Sequence, residues 1–115
     1  MTDNTLFSDF DKNRSAFVFI EFQAEWLAED GLLFQRLVQD KDAFLNAVSQ
    51  AGLLLAAARR NSCTIAHAGL DLRDDPTYRL FGGGQNVLGL RAAIPQAGTW
   101  TGLGAAFVPP FIPLP

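Results

Sequence analysis

Apolar positions along the chain fall into patterned stretches separated by polar connections. Ala16-Phe17-Val18-Phe19-Ile20-Glu21-Phe22 is aromatic and β-branched, and its apolar residues would occupy both faces of an extended strand. Such a run predicts a strand covered on both sides, the usual state in a parallel sheet. A polar connection follows through Asp30-Gly31, with a short helix expected around Leu33–Val38. Phe44, Val48, Ala51, Leu55 and Ala58 then recur at spacings of four, three, four and three, which marks one face of a helix. Leu53, Leu54 and Ala57 widen that stripe, so the helix is expected to be covered over much of its circumference. Asp40 is placed to cap its start and Asp42 to favour its first turn, while Arg59-Arg60 suit its negative end. Cys63-Thr64-Ile65-Ala66-His67 reads as a second strand. Strand, long helix and strand together predict one right-handed βαβ crossover. From Asp71 onward the residues read mostly as loop, with one more helix expected near Val87–Ala93. Residues 1–15 are mostly polar, with Phe7 and Phe10, and read as an arm or short helix pinned onto the body.

Composition sharpens this division. At 115 residues the chain is long enough for one small domain and too short for two. All acidic residues lie at or before Asp75, and the last basic residue is Arg91. Ala92 to Pro115 is therefore uncharged, and it holds five of the six prolines. A net charge of −3 with scattered basic residues argues against nucleic acid as a partner, because phosphate binding needs clustered Lys and Arg. One cysteine excludes an intrachain disulfide and any CxxC metal or redox motif. The apolar window Ala43–Ala58 contains Asn46, Ser49 and Gln50 and falls short of the roughly 20 residues that cross a bilayer. The amino terminus carries Asp3, Asp9 and Asp11 without an apolar run, so no secretory signal is expected. A soluble cytoplasmic protein with no membrane partner is the resulting expectation.

Few residues carry candidate chemistry. Glu21 stands near the carboxyl end of the first strand, where open α/β sheets place their ligands. A carboxylate in an apolar strand is costly to bury without a partner, so either a functional role or a salt-bridged, solvent-facing place at the strand mouth accounts for it. His67 holds the matching position on the second strand. As the only histidine it has no second imidazole to join in a metal site, and a loop-facing, hydrogen-bonded side chain is expected. Cys63, at the start of its strand and away from any helix N-terminus, reads as a buried structural thiol. Gly82-Gly83-Gly84 lacks the GK[ST] ending of a phosphate loop and reads as a flexible loop. Pro109-Pro110 and Pro113 have polyproline character, but Phe107, Phe111 and Ile112 point to a tail that packs on its own body or on a neighbour.

Ala16-Phe17-Val18-Phe19-Ile20-Glu21-Phe22-Gln23-Ala24-Glu25-Trp26-Leu27 resembles the opening strand of the isochorismatase-like cysteine hydrolases, an apolar run followed by Ile-Asp-x-Gln, an acidic residue and an aromatic. Leu55-Ala56-Ala57-Ala58-Arg59-Arg60 followed by Ile65-Ala66-His67 is similar to that family's helix end and second strand. Gly98-Thr99-Trp100-Thr101-Gly102 and Phe111-Ile112-Pro113 resemble its approach to a third strand. The resemblance covers nearly the whole chain in the right order. It implies a Rossmann-like α/β/α hydrolase with an Asp–Lys–Cys triad, in which a thiolate attacks a carbonyl or imine carbon. Glu21 matches the aspartate position, one methylene longer. The lysine belongs to the third strand and the nucleophilic cysteine to a later helix start, and neither has a counterpart here. Cys63 lies in the second strand and does not match the nucleophile. Nicotinamidase relatives bind a metal through Asp-x-His, whereas Asp71-Leu72-Arg73 lacks the histidine, so no metal and no cofactor are expected.

The resemblance thus implies a single truncated domain over residues 1–115, the amino-terminal half of the family's fold. It has an arm at 1–15, a βαβ core at 16–68 and a loop-rich segment with an extended Pro-rich tail at 69–115. Glu21 is the candidate catalytic position, with His67, Gln23, Trp26 and Trp100 as candidate binding residues. The expected function is a hydrolase homologue without hydrolase activity that acts as a binding or assembly module, with a small-molecule ligand allowed for. One alternative is a hydrolase rebuilt at a subunit interface with Glu21 as general base, assisted by His67. Another is a decayed or mobile gene fragment with no selected role. Uncovered strand edges and sheet faces predict a homo-oligomer, most simply a twofold dimer, with a second copy covering the uncharged tail.

Overall fold

A computed structural model describes residues 10–75 and 100–115. Phe7, the Gly82–Gly84 run, the helix expected near Val87–Ala93 and the Gly98-Thr99 part of the tail motif lie outside the described residues. The architecture is mixed α/β, with a two-stranded parallel sheet and helices. In chain order the elements are β1 (Ala16–Ile20), α1 (Ala24–Leu27), α2 (Leu32–Leu37), α3 (Lys41–Arg60) and β2 (Thr64–Ala68), then a 3₁₀ turn at Leu103–Ala105.

The long helix forms where its signals place it. The Asp40 side chain accepts the Ala43 N–H at 3.0 Å, which satisfies one of the orphan donors of the N-terminus, and Asp42 lies in the first turn. Arg59 and Arg60 occupy the last turn. Beyond it, Ser62 adopts a left-handed φ of 54°. The Ser62 N–H donates to Arg59 O at 3.2 Å and the Cys63 N–H to Ala58 O at 3.0 Å, the paired bonds of a Schellman ending. That turn reverses the chain into β2, which pairs with β1 in the register Ala16↔Thr64, Phe17↔Ile65, Phe19↔His67 and Ile20↔Ala68.

Alternation divides the sheet into unlike faces. Phe17, Phe19, Ile65 and His67 lie on the covered face, whereas Ala16, Val18, Ile20, Thr64, Ala66 and Ala68 are exposed. Coverage of β1 on both sides, expected from its composition, is therefore not what the chain adopts. Val18 is 54% and Ile20 63% exposed, because no element among the described residues packs on their side. The same shortage of partners corrects the breadth expected for α3. Leu55 and Ala58 are buried, but Leu53 and Leu54 face outward.

The uncharged tail supplies the lid of the covered face. Phe111 is 1% exposed and joins Phe19 and Leu55 in one core cluster, packed by Phe22, Val48 and Ala51. Its ring centroid lies 4.3 Å from that of Phe22. Arg59 anchors the segment, donating to Pro110 O at 3.4 Å and Ile112 O at 3.2 Å. A second cluster gathers Leu33, Leu72, Trp100 and Ala105, with Trp26 and Leu70 against it. The cover expected from a second copy is thus provided, for Trp100, Ala105 and Phe111, by the chain itself. At the other end, Phe10 lies 5.8 Å from Phe17 and Lys12 Nζ donates to Asn61 O at 3.0 Å, so the described part of the arm is pinned to the body.

Candidate functional site

The strand ends at Glu21. Its N–H still pairs with Ala68 O at 2.7 Å, but its φ of 62° turns the backbone out of the sheet. A left-handed φ costs a residue with a Cβ about 1–2 kcal/mol, and such strain persists only where the surroundings enforce it. Downstream, α1 brings Trp26 back over the turn, and its indole Nε1–H donates to Glu21 Oε2 at 2.9 Å. The two residues stand at one side of a cleft of about 460 Å³ whose other walls include Ile20, Phe22, Phe44 and Val48. An apolar cavity of this size holding one placed polar group is the usual form of a small-molecule site. Among the described residues, no lysine or arginine pairs with the Glu21 carboxylate.

The other candidate binding residues do not converge on this cleft. Gln23 is 1% exposed, and its side chain is committed to the backbone. Its Nε2 donates to Leu70 O at 2.6 Å and Ala105 O at 2.7 Å, while its Oε1 accepts the Leu70 N–H at 3.0 Å. The amide ties the exit of β2 to the tail. Trp100 is 1% exposed inside the second core cluster; its N–H donates to Glu25 Oε2 at 3.3 Å and its carbonyl accepts the Leu72 N–H at 2.8 Å.

His67 occupies a separate groove of about 300 Å³ with Arg59, Ile65, Pro113 and Leu114. It lies on the covered face of β2, its ring 5.8 Å from Phe19 in a stacked arrangement and 5.9 Å from the edge-on Phe107. Among the described residues its buried Nδ1 has no hydrogen-bond partner, in place of the loop-facing, hydrogen-bonded histidine expected from the sequence. Burial, and secondarily the Arg59 charge, lower its pKa from the ordinary 6.5. Glu21 and His67 line different clefts, so the chain does not present them as an acid–base pair.

Cys63 precedes β2 and lines a third groove with Phe10, Phe17 and Ala57, at the amino end of the sheet. Five-residue strands rising about 3.3 Å per residue set it on the order of 16 Å from the Glu21 end. In Asp71-Leu72-Arg73 the guanidinium of Arg73 pairs with the Asp71 carboxylate and holds its pKa down to about 2. The position where a histidine ligand would stand is therefore taken by that carboxylate's own counter-ion. Among the described residues no group of three or more His, Cys, Asp or Glu side chains comes together, and no helix is long and apolar enough to cross a membrane.

Glu25 is a buried carboxylate that the sequence pattern does not mark out. It is 6% exposed, and burial raises its pKa above 4.5 against the lowering effect of the Trp100 and Leu32 N–H groups. Its acidic type at a helix start is the only sequence signal it offers, and that signal is common on exposed helices.

No protein-family model matches the chain, and no curated protein or solved structure was found to be similar to it.

Proposed function

We propose that this chain is an isochorismatase-like binding module, Rossmann-like in origin, which lacks the covalent chemistry of the hydrolases it resembles and takes a small molecule at the Glu21 cleft. The observation that carries this reading is the separation of functional groups along the sheet. The carboxylate at the family's aspartate position opens on a ligand-sized cleft at one end, while the chain's single cysteine lies at the other. A thiol about a strand's length away cannot receive or return a proton through Glu21 within the roughly 3 Å that such transfer needs. What remains is a shaped apolar cleft with one oriented carboxylate.

The same reading includes self-association and a cytoplasmic setting. The specific support for self-association is the open face of the sheet, where Val18 and Ile20 lie more than half exposed beside Ala66 and Ala68. The acidic composition with one cysteine supports the cytoplasmic setting.

Incubation of the purified chain with amide and enol-ether substrates tests the loss of chemistry. The expected outcome is no turnover above buffer. Turnover that disappears in Cys63→Ser would overturn the reading, because it would require the thiol to reach a substrate.

A further inference from the structure

The Glu21 cleft has a charge pattern that narrows its ligand. Its walls are apolar and aromatic, and its polar atoms include one carboxylate on a strained turn. The Trp26 indole N–H engages Oε2 and fixes the group's orientation. No described cation pairs with the carboxylate, so its charge is free to meet a cation that enters the cleft. The neighbouring rings form a row in which Trp26 lies 6.5 Å from Phe44 and Phe44 lies 5.9 Å from Phe34. At the outer end of that row an ammonium is already present, Lys41 Nζ at 5.4 Å from the Phe34 ring centroid. The inner end has the Glu21 carboxylate and, among the described residues, no ammonium.

We infer that the Glu21 cleft binds a small organic cation, an ammonium group carried on an apolar body. The ammonium pairs with the Glu21 carboxylate and the body lies among Phe22, Phe44 and Val48. This rests on the binding reading given above and names the ligand class for that site. A volume of about 460 Å³ suits a molecule of roughly ten heavy atoms better than a peptide chain. Anionic ligands are disfavoured by the carboxylate, and neutral apolar ones forgo the charge interaction.

The test follows the indole N–H signal of Trp26 in the full chain by NMR, assigned with a Trp26→Phe variant, during titration with benzyltrimethylammonium, benzyl alcohol or benzoate. The cation is expected to shift that signal saturably and to bind about tenfold more tightly than benzyl alcohol, with benzoate weakest. Glu21→Gln keeps an oxygen acceptor for the indole and removes the charge. It is expected to weaken the cation about tenfold while leaving benzyl alcohol within about twofold. Asp74→Asn, which removes an exposed carboxylate away from the cleft, is expected to leave all affinities unchanged. Equal affinity of Glu21→Gln and the parent chain for the cation, or benzoate binding as tightly as the cation, overturns the inference and leaves the binding reading intact. If none of the probes shifts the Trp26 signal, both fail.

Discussion

Gln23 and Glu25 lie within three residues of each other just past the strand mouth, and each is used to hold the chain together across long sequence distances. Gln23 bridges to Leu70 and Ala105, 47 and 82 positions away. A Cβ on Gly69 would come within 2.8 Å of its side chain, and one on Gly104 would collide with the Glu25 carboxylate. Neither role is legible in sequence, because a hydrogen-bond partner so far along the chain leaves no periodic trace. Glu21 was legible for the opposite reason: a carboxylate inside an apolar run is a local anomaly. The burial of Glu25 has a consequence in pH. Its folded pKa is raised above 4.5, so between the unfolded and folded values the native state binds the extra proton. The stability this supplies is present at low pH and is lost as pH rises from 4.5 through the folded value. Glu25→Gln should flatten that decline, as measured by urea unfolding at a series of pH values from about 4 to about 7. An unchanged slope would assign the pH dependence to other groups. Ser62 offers a second check, since its φ of 54° suits glycine. Ser62→Gly is expected to stabilise by about 0.5–1 kcal/mol in the same assay, relief of left-handed strain exceeding the entropy cost.

Elements with strong local signals formed as their residues dictate. α3 runs from Lys41 to Arg60 with the expected cap, and β1 and β2 lie within two residues of their predicted ends. α1 falls within the stretch whose sequence reads as connection, because four residues from Ala24 to Leu27 are barely one helical turn and cannot display a period. Yet that turn carries Trp26 and so builds half of the candidate site. The docking of the tail was legible only as a tendency to pack, from Phe107, Phe111 and Ile112; which surface receives it depends on a cavity formed by β1 and α3. Phe111 fills that place at 1% exposure, beside Phe19 and Leu55. Phe111→Ala should cost about 3–5 kcal/mol of unfolding free energy, the usual penalty for emptying an aromatic core position. A loss below about 1 kcal/mol in urea titration would mean that the tail contributes little to the core.

At the scale of the molecule, the sheet is the weak point. Among the described residues, two parallel five-residue strands bond only to each other, which leaves an open edge on each and one face exposed. Isolated two-stranded sheets are marginal in water, and an exposed apolar edge is a template for pairing. A twofold axis beside β1 would set the β1 strands of two copies antiparallel and make a four-stranded sheet with β2 at either rim. That arrangement satisfies the free backbone groups of β1 and joins the Val18 and Ile20 faces into one larger apolar surface. Covering each of those side chains is worth about 1 kcal/mol, given that full burial yields about 1.5–3 kcal/mol and roughly half of each is still exposed. The exposed face of one sheet measures only about 17 by 10 Å, well under the roughly 800 Å² per partner of a stable interface. In such a pair the backbone bonds along the β1 edge would carry the association, and the joined face would stay open. Light scattering on a sizing column should accordingly give a mass near twice the 12.5 kDa of the chain. Val18→Lys, on the open face and not among the residues that line the Glu21 cleft, should shift the population toward single chains through charge repulsion. A stable monomer for the parent chain at micromolar concentration would overturn the twofold assembly. It would also mean that the bare face is tolerated by the folded chain alone.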